Sequence, residues 1–145
     1  MTNCFDPGQA PYILYGDDDP DDRLVLKETM HKVNPSVALI CALDGREVFA
    51  CLEALVPGQL LPSAILLDQN MPGWTGLQTL AAIKESNSYS SIPAFIFTTS
   101  DHSGLRARVV QMGATFITKP YLGKDLVSVC SVIAENCSQP PNYKR

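Results

Sequence analysis

The chain has 145 residues, 46% of them hydrophobic, which is enough for one domain with a single core and too few for two ordinary ones. A net charge of −4, from fifteen acidic and eleven basic residues, argues against a general nucleic-acid binder, which needs a basic face for phosphate contacts. No segment approaches the roughly 18 apolar residues that cross a bilayer, residues 1–11 lack the basic start and apolar core of a signal peptide, and five cysteines (Cys4, Cys41, Cys51, Cys130, Cys137) without a C-x-x-C pair suggest neither a disulfide framework nor a zinc knuckle, so a cytoplasmic protein with cysteines as apolar fillers is expected.

Residues 12–15 form a short apolar, aromatic run that stops at Gly16, the pattern of a buried strand running into a loop. Five of the fifteen carboxylates follow at once, in Asp17, Asp18, Asp19, Asp21 and Asp22. Crowded carboxylates repel one another unless a cation sits among them, which makes this cluster the first place to look for a metal. Asp19 suits an N-cap and Pro20 a first helical turn. Leu26, Met30 and Val33 then recur at helical spacing until Asn34-Pro35. Residues 37–43 read as a second strand, and Asp44-Gly45 signals a turn before the helical stripe of Val48, Leu52 and Leu55. Pro57-Gly58 closes this unit. A third apolar run, 64–67, ends at Asp68 and precedes the stripe of Leu77, Leu80 and Ile83. Pro93 introduces a fourth run, 94–97, ending in Thr98-Thr99-Ser100, with Leu105, Val109 and Met112 on the following helix and Gly113 closing it. The fifth run, 115–118, ends at Lys119-Pro120, and Leu122, Leu126, Val129, Cys130 and Ile133 repeat along a last helix. Residues 138–145 are polar and proline-rich and are expected to fray.

Five strand-helix units in succession predict an α/β fold, a five-stranded parallel sheet with helices on both faces, because parallel neighbours need crossovers and their strands read as continuous apolar runs. In such sheets the ligand crevice lies at the carboxyl ends of the strands. The polar residues at those ends are Asp17, Asp18, Asp68, Thr98 and Lys119. Three carboxylates, a hydroxyl and an ammonium make sense together when a cation and an anion are both handled, and hard oxygen ligands of this kind suit magnesium. Asp68 is the best nucleophile toward a phosphoryl group, being central and followed by the open loop Asn70-Met71-Pro72-Gly73. Asp18 would hold the metal directly, Asp17 through water, and Asn70 would add its backbone carbonyl. Lys119 would pair with one phosphoryl oxygen and Thr98 donate to another.

The acidic pair Asp17-Asp18 with Asp19-Pro20 behind it, the stretch from Leu66-Leu67-Asp68 to Gly73, Phe97-Thr98-Thr99-Ser100, and Gly113-Ala114 leading to Lys119-Pro120 stand in an order and at spacings that resemble the receiver domain of two-component response regulators, of the single-domain, chemotaxis-regulator-like type. The resemblance covers residue 12 to about residue 136. It implies a (βα)5 flavodoxin-like fold with strand order 2-1-3-4-5, a receiver domain over 12–137, an N-terminal extension over 1–11 and a flexible tail over 138–145. It further implies that Asp68 accepts a phosphoryl group from a sensor histidine kinase or a histidine phosphotransfer protein, with Mg2+ or Mn2+ bound. The chain would then be no enzyme in the ordinary sense, but a phosphorelay switch that assists its own phosphorylation and dephosphorylation. Thr98 would move toward the phosphoryl group and Phe116, three residues before Lys119, turn inward, biasing a face made by the fourth helix, fifth strand and fifth helix. Asn70 and Ser100 are similar to positions that tune dephosphorylation. No output domain follows residue 136, so a stand-alone switch is expected, acting by docking to an unidentified protein, without direct nucleic-acid contact or membrane insertion. Arg106, Arg108, Tyr121 and Lys124 would lie near the switched face, and dimerisation through it is left open.

Two features depart from the family pattern. Gly16 stands where a larger apolar residue is commoner, which is expected to loosen the end of the first strand, and Phe116 lacks the hydroxyl of a Tyr. Two competing readings of the acidic run are weaker. A calcium loop would put its obligatory Gly where Asp22 stands, with Pro20 intruding. Asp17-x-Asp19 is similar to the nucleophile motif of haloacid-dehalogenase-type phosphatases, but the chain is short for them and Asp68 with Lys119 would go unexplained.

Overall fold

The computed structural model describes residues 10–100, 102 and 104–145, so Cys4 and most of the N-terminal extension lie outside the described residues. Each apolar run becomes a strand and each stripe a helix: β1 (Tyr12–Gly16), α1 (Pro20–Val33), β2 (Ala38–Ala42), α2 (Gly45–Glu53), β3 (Ala64–Leu67), α3 (Gly76–Glu85), β4 (Ala94–Thr98), α4 (Leu105–Gln111), β5 (Thr115–Thr118) and α5 (Gly123–Asn136). The strands are parallel and ordered β2-β1-β3-β4-β5, the predicted order.

Alternate residues of every strand feed two cores, one on each face of the sheet. Leu14, Ile65, Leu67 and Ile96 meet Val48, Leu52, Leu80, Ile83 and Val109 on the α2, α3 and α4 side. Ile13, Tyr15, Leu66, Phe95 and Phe97 meet Leu26, Met30, Leu126, Cys130 and Ile133 on the other, where α1 packs against α5. Cys130 and Cys137 are buried and Cys41 and Cys51 half-buried, as fillers should be, and burial pushes the Cys130 thiol up to about 11.

Side-chain caps set the helix starts. Asp19 accepts from the Asp21 and Asp22 amides, Asp44 accepts from Glu47 N at 2.9 Å, and Thr75 and Gln78 form a reciprocal capping box. With Asp19 capping and Asp21 and Asp22 already inside α1, this segment is a helix start and not a calcium loop.

Two expectations are corrected. Gly16 does not loosen β1: it pairs with Ala42 on one side and Leu67 on the other, and a Cβ added there would lie 2.6 Å from Val48 Cγ2. Neighbouring side chains already fill the space that a larger residue would take. The tail does not fray at its end either. Tyr143 bridges antiparallel to Leu60, Leu61 N donates to Asn142 O at 2.9 Å, Gly58 N donates to Lys144 O at 2.7 Å, and Lys144 N donates to Gln59 O at 2.9 Å. The Lys144 ammonium also donates to Leu55 O at 2.6 Å, just past the end of α2, where carbonyls point at solvent and favour a cation. Among the described residues no helix is long and apolar enough to cross a membrane.

Candidate functional site

Parallel pairing continues one step beyond the strands. Asp17 N donates to Ala42 O at 3.1 Å, Asp68 N to Gly16 O at 2.9 Å and Lys119 N to Thr98 O at 2.9 Å. Since Gly16 is in register with Leu67, the next residues, Asp17 and Asp68, are held side by side at the carboxyl edge of the sheet. Lys119 reaches them from β5. Its ammonium lies 2.6 Å from Asp17 Oδ2, 3.1 Å from Asp68 Oδ2 and 2.8 Å from Asp22 Oδ2, with the side chain only 10% exposed. Burial alone would lower the Lys119 pKa, but hydrogen bonds to Asp17 and Asp22 and the charges of Asp68 and Asp17 outweigh it and hold the group above the usual lysine value.

Asp17 is fully buried and Asp18 is exposed. Asp17 Oδ1 accepts from Asp19 N at 3.0 Å, and Oδ2 accepts from both Lys119 and the buried Tyr15 hydroxyl. Arg23 Nη1 donates to the Asp17 carbonyl at 2.8 Å. Carboxylate oxygens of Asp17, Asp18 and Asp68 lie within 4.8 Å of one another. Three hard oxygen donors so close, with acceptor positions left over, fit a small divalent cation.

The loop after Asp68 is locked to α3. Gly76 N donates to Gln69 O at 3.1 Å and Leu77 N to Gln69 Oε1 at 3.0 Å, so Gln69 serves the open N-terminal turn. A Cβ on Gly76 would stand 2.5 Å from Asp68 O. Asn70 N reaches Asp68 Oδ1 at 3.4 Å, and the Asn70 amide donates to the Ser100 hydroxyl, joining the loops after β3 and β4. Thr98 is fully buried, its hydroxyl oxygen accepting from Ser100 N at 3.2 Å. Phe116 is buried against Leu105 and Val109, and the Arg106 guanidinium stands 4.4 Å from its ring centre.

The structure thus brings Asp17, Asp18, Asp68 and Lys119 together, with Thr98 and Asn70 at the rim and Phe116 one strand layer away. Sequence reasoning missed Tyr15, Arg23, Gln69 and the pairing of Asp22 with Lys119. Tyr15 had a signal: residues two apart share a strand face, so a hydroxyl at 15 points where a carboxylate at 17 points. The Asp22 pairing spans 97 positions and had none.

A sequence model of the response regulator receiver domain matches residues 13–131. The chain belongs to this family. Receiver domains are signalling modules phosphorylated on an aspartate, and they bind Mg2+ through acidic residues such as those gathered here. The chain is 31% identical over 136 residues to the two-component response regulator ORR5 of Oryza sativa subsp. japonica, spanning 90% of this chain and 97% of that protein. It is 31% identical over 118 residues to the sensor histidine kinase CheAY of Helicobacter pylori, covering 81% of this chain but 14% of that protein. Among solved structures, the Mn2+-bound response regulator Rcp1 superposes with a TM-score of 0.76 at 25% identity over 93% of this chain and 99% of that one. The Vibrio cholerae chemotaxis protein CheY4 superposes at 0.71 with 23% identity over 86% and 99%.

Proposed function

We propose that this receiver domain takes a phosphoryl group onto Asp68 from the phosphohistidine of a sensor kinase or a histidine phosphotransfer protein, in a reaction that needs Mg2+, with Mn2+ a substitute. The observation that carries the reading is the single ammonium of Lys119 held between Asp17 and Asp68 at neighbouring strand ends. Carboxylates from Asp17, Asp18 and Asp68 with the Asn70 backbone carbonyl would hold the cation. Once bound, it offsets the negative charge of the phosphoryl group that a carboxylate nucleophile must approach. An Asp68 oxygen forms the bond to phosphorus as the phosphorus–nitrogen bond breaks, and the electron pair leaves with the imidazole. Lys119 turns from the carboxylates to a phosphoryl oxygen, and the Thr98 hydroxyl, whose oxygen accepts from Ser100 N, donates its hydrogen to another. Asn70 and Ser100, bonded to each other across the mouth, flank the path of the water that later hydrolyses the acyl phosphate.

Output follows from α4, β5 and α5. Thr98 and Phe116 lie on adjacent, paired strands, so movement of one is felt by the other. Arg106, Arg108, Tyr121 and Lys124 are exposed around them, Tyr121 at 93%, and form the face a protein target would meet without nucleic acid or membrane taking part. A phosphorelay role is part of this reading, with self-association through the same face as a further way to signal.

Intact-mass measurement after incubation with acetyl phosphate tests the chemistry. One labile adduct is expected in the presence of Mg2+, none after chelation, and none on Asp68→Asn. A folded native chain that takes no adduct would sink the proposal in favour of a binding-only receiver.

A further inference from the structure

The chemistry above gives Tyr15 no part, yet its hydroxyl is aimed at the crevice from within the sheet. Tyr15 is fully buried in the core between β1, α1 and α5, its ring edge-on to Phe97 with centroids 6.3 Å apart. A Phe or Leu would serve that packing. The hydroxyl does something else: it donates to Asp17 Oδ2, the oxygen that Lys119 also holds.

The two partners of Asp17 Oδ2 differ in permanence. Lys119 is shared with Asp22 and Asp68, and its ammonium is the group that turns to the phosphoryl oxygen. Tyr15 is fixed by β1, and its hydroxyl donates to Asp17 alone among the described residues. We propose that Tyr15 is a positioning residue for the cation site, its hydroxyl keeping the Asp17 carboxylate plane set for the cation when Lys119 is drawn away. The inference rests on reading the crevice as a divalent-cation phosphoacceptor site.

The test is calorimetric titration of native chain, Tyr15→Phe and Tyr15→Leu with MgCl2, beside acetyl phosphate labelling over a range of Mg2+ concentrations. Hydrogen-bond partners of ligating groups typically govern metal affinity by 10–100-fold, so both variants should bind Mg2+ about tenfold more weakly and need about tenfold more Mg2+ for half-maximal labelling. The labelling rate at saturating Mg2+ should stay close to native, a split that a general loss of structure would not produce. Because Phe keeps the ring and Leu does not, equal losses in the two assign the effect to the hydroxyl. Native-like or tighter Mg2+ affinity in a folded Tyr15→Phe overturns the inference, tighter binding marking the phenol as a competitor of the cation. A native chain that binds no Mg2+ overturns instead the reading of the crevice, and this inference with it.

Discussion

Lys119 decides the electrostatics of the crevice. Its raised pKa means that the stability it contributes is fully present below the ordinary lysine value of about 10.4 and is lost as pH climbs toward the higher folded value. Tyr12 and Tyr15, raised chiefly by burial, act in the same direction, since above about pH 10 the unfolded chain ionises them and the folded chain does not. The thiols of Cys41, Cys51, Cys130 and Cys137, all raised chiefly by burial, begin the same loss near pH 8.5. Urea midpoints should therefore decline gently above about pH 8.5 and steeply above about pH 10, with a shallower second phase in Lys119→Met. A second phase of unchanged slope in that variant would show that Lys119 carries little of the linkage.

At the scale of elements, the crevice depends on how closely α3 approaches the residue after β3. Gly76→Ala places a methyl group against the Asp68 carbonyl, which is backbone and cannot swing aside. Overpacking of this kind costs about 1–3 kcal/mol, and the displaced loop should also slow labelling of Asp68. Urea unfolding and the labelling rate measure the two effects separately, and a native labelling rate would show that the loop moves without carrying Asp68.

The strands were legible in sequence because a parallel sheet buried on both faces writes itself as apolar runs. The runs at 64–67 and 115–118 match β3 and β5 to the residue. Other ends shift by one residue, since Gly16 and Thr98 pair as strand although neither is apolar, while Val37 and Leu43 lie beyond the ladder. The residues that would carry chemistry were legible from their place after each run. Their neighbours Arg23 and Gln69 were not, because contacts to backbone groups leave no periodic trace, whereas Tyr15 was overlooked although it shares a strand face with Asp17. Gly16 was misread for a related reason: the side chain filling its space comes from Val48, 32 positions away and on another element.

For the whole molecule, the C-terminal segment ties α5 to the loop between α2 and β3, at the end of the sheet opposite the crevice. Lys144 closes that tie through Leu55 O and stands 5.6 Å from the Tyr89 ring centre. Lys144→Met should lose a hydrogen bond of about 1 kcal/mol, roughly 3 °C of Tm in a domain of this size, without changing Asp68 labelling. An unchanged Tm would show that the tail docks without bearing load.

Tyr89 also starts a run of ring contacts that ends on the loop after Asp68. Its ring meets Phe49 at 6.1 Å, Phe49 meets Trp74 at 6.0 Å, and the Arg46 guanidinium covers Trp74 at 5.2 Å. Trp74 is the sole tryptophan of the sequence and is half-buried, six residues after Asp68 on the loop that a cation or phosphoryl group would reorganise. On the proposed function the protein would carry its own optical gauge: indole emission, sensitive to the guanidinium above it and to water at its edge, should report on the crevice in real time with no label attached.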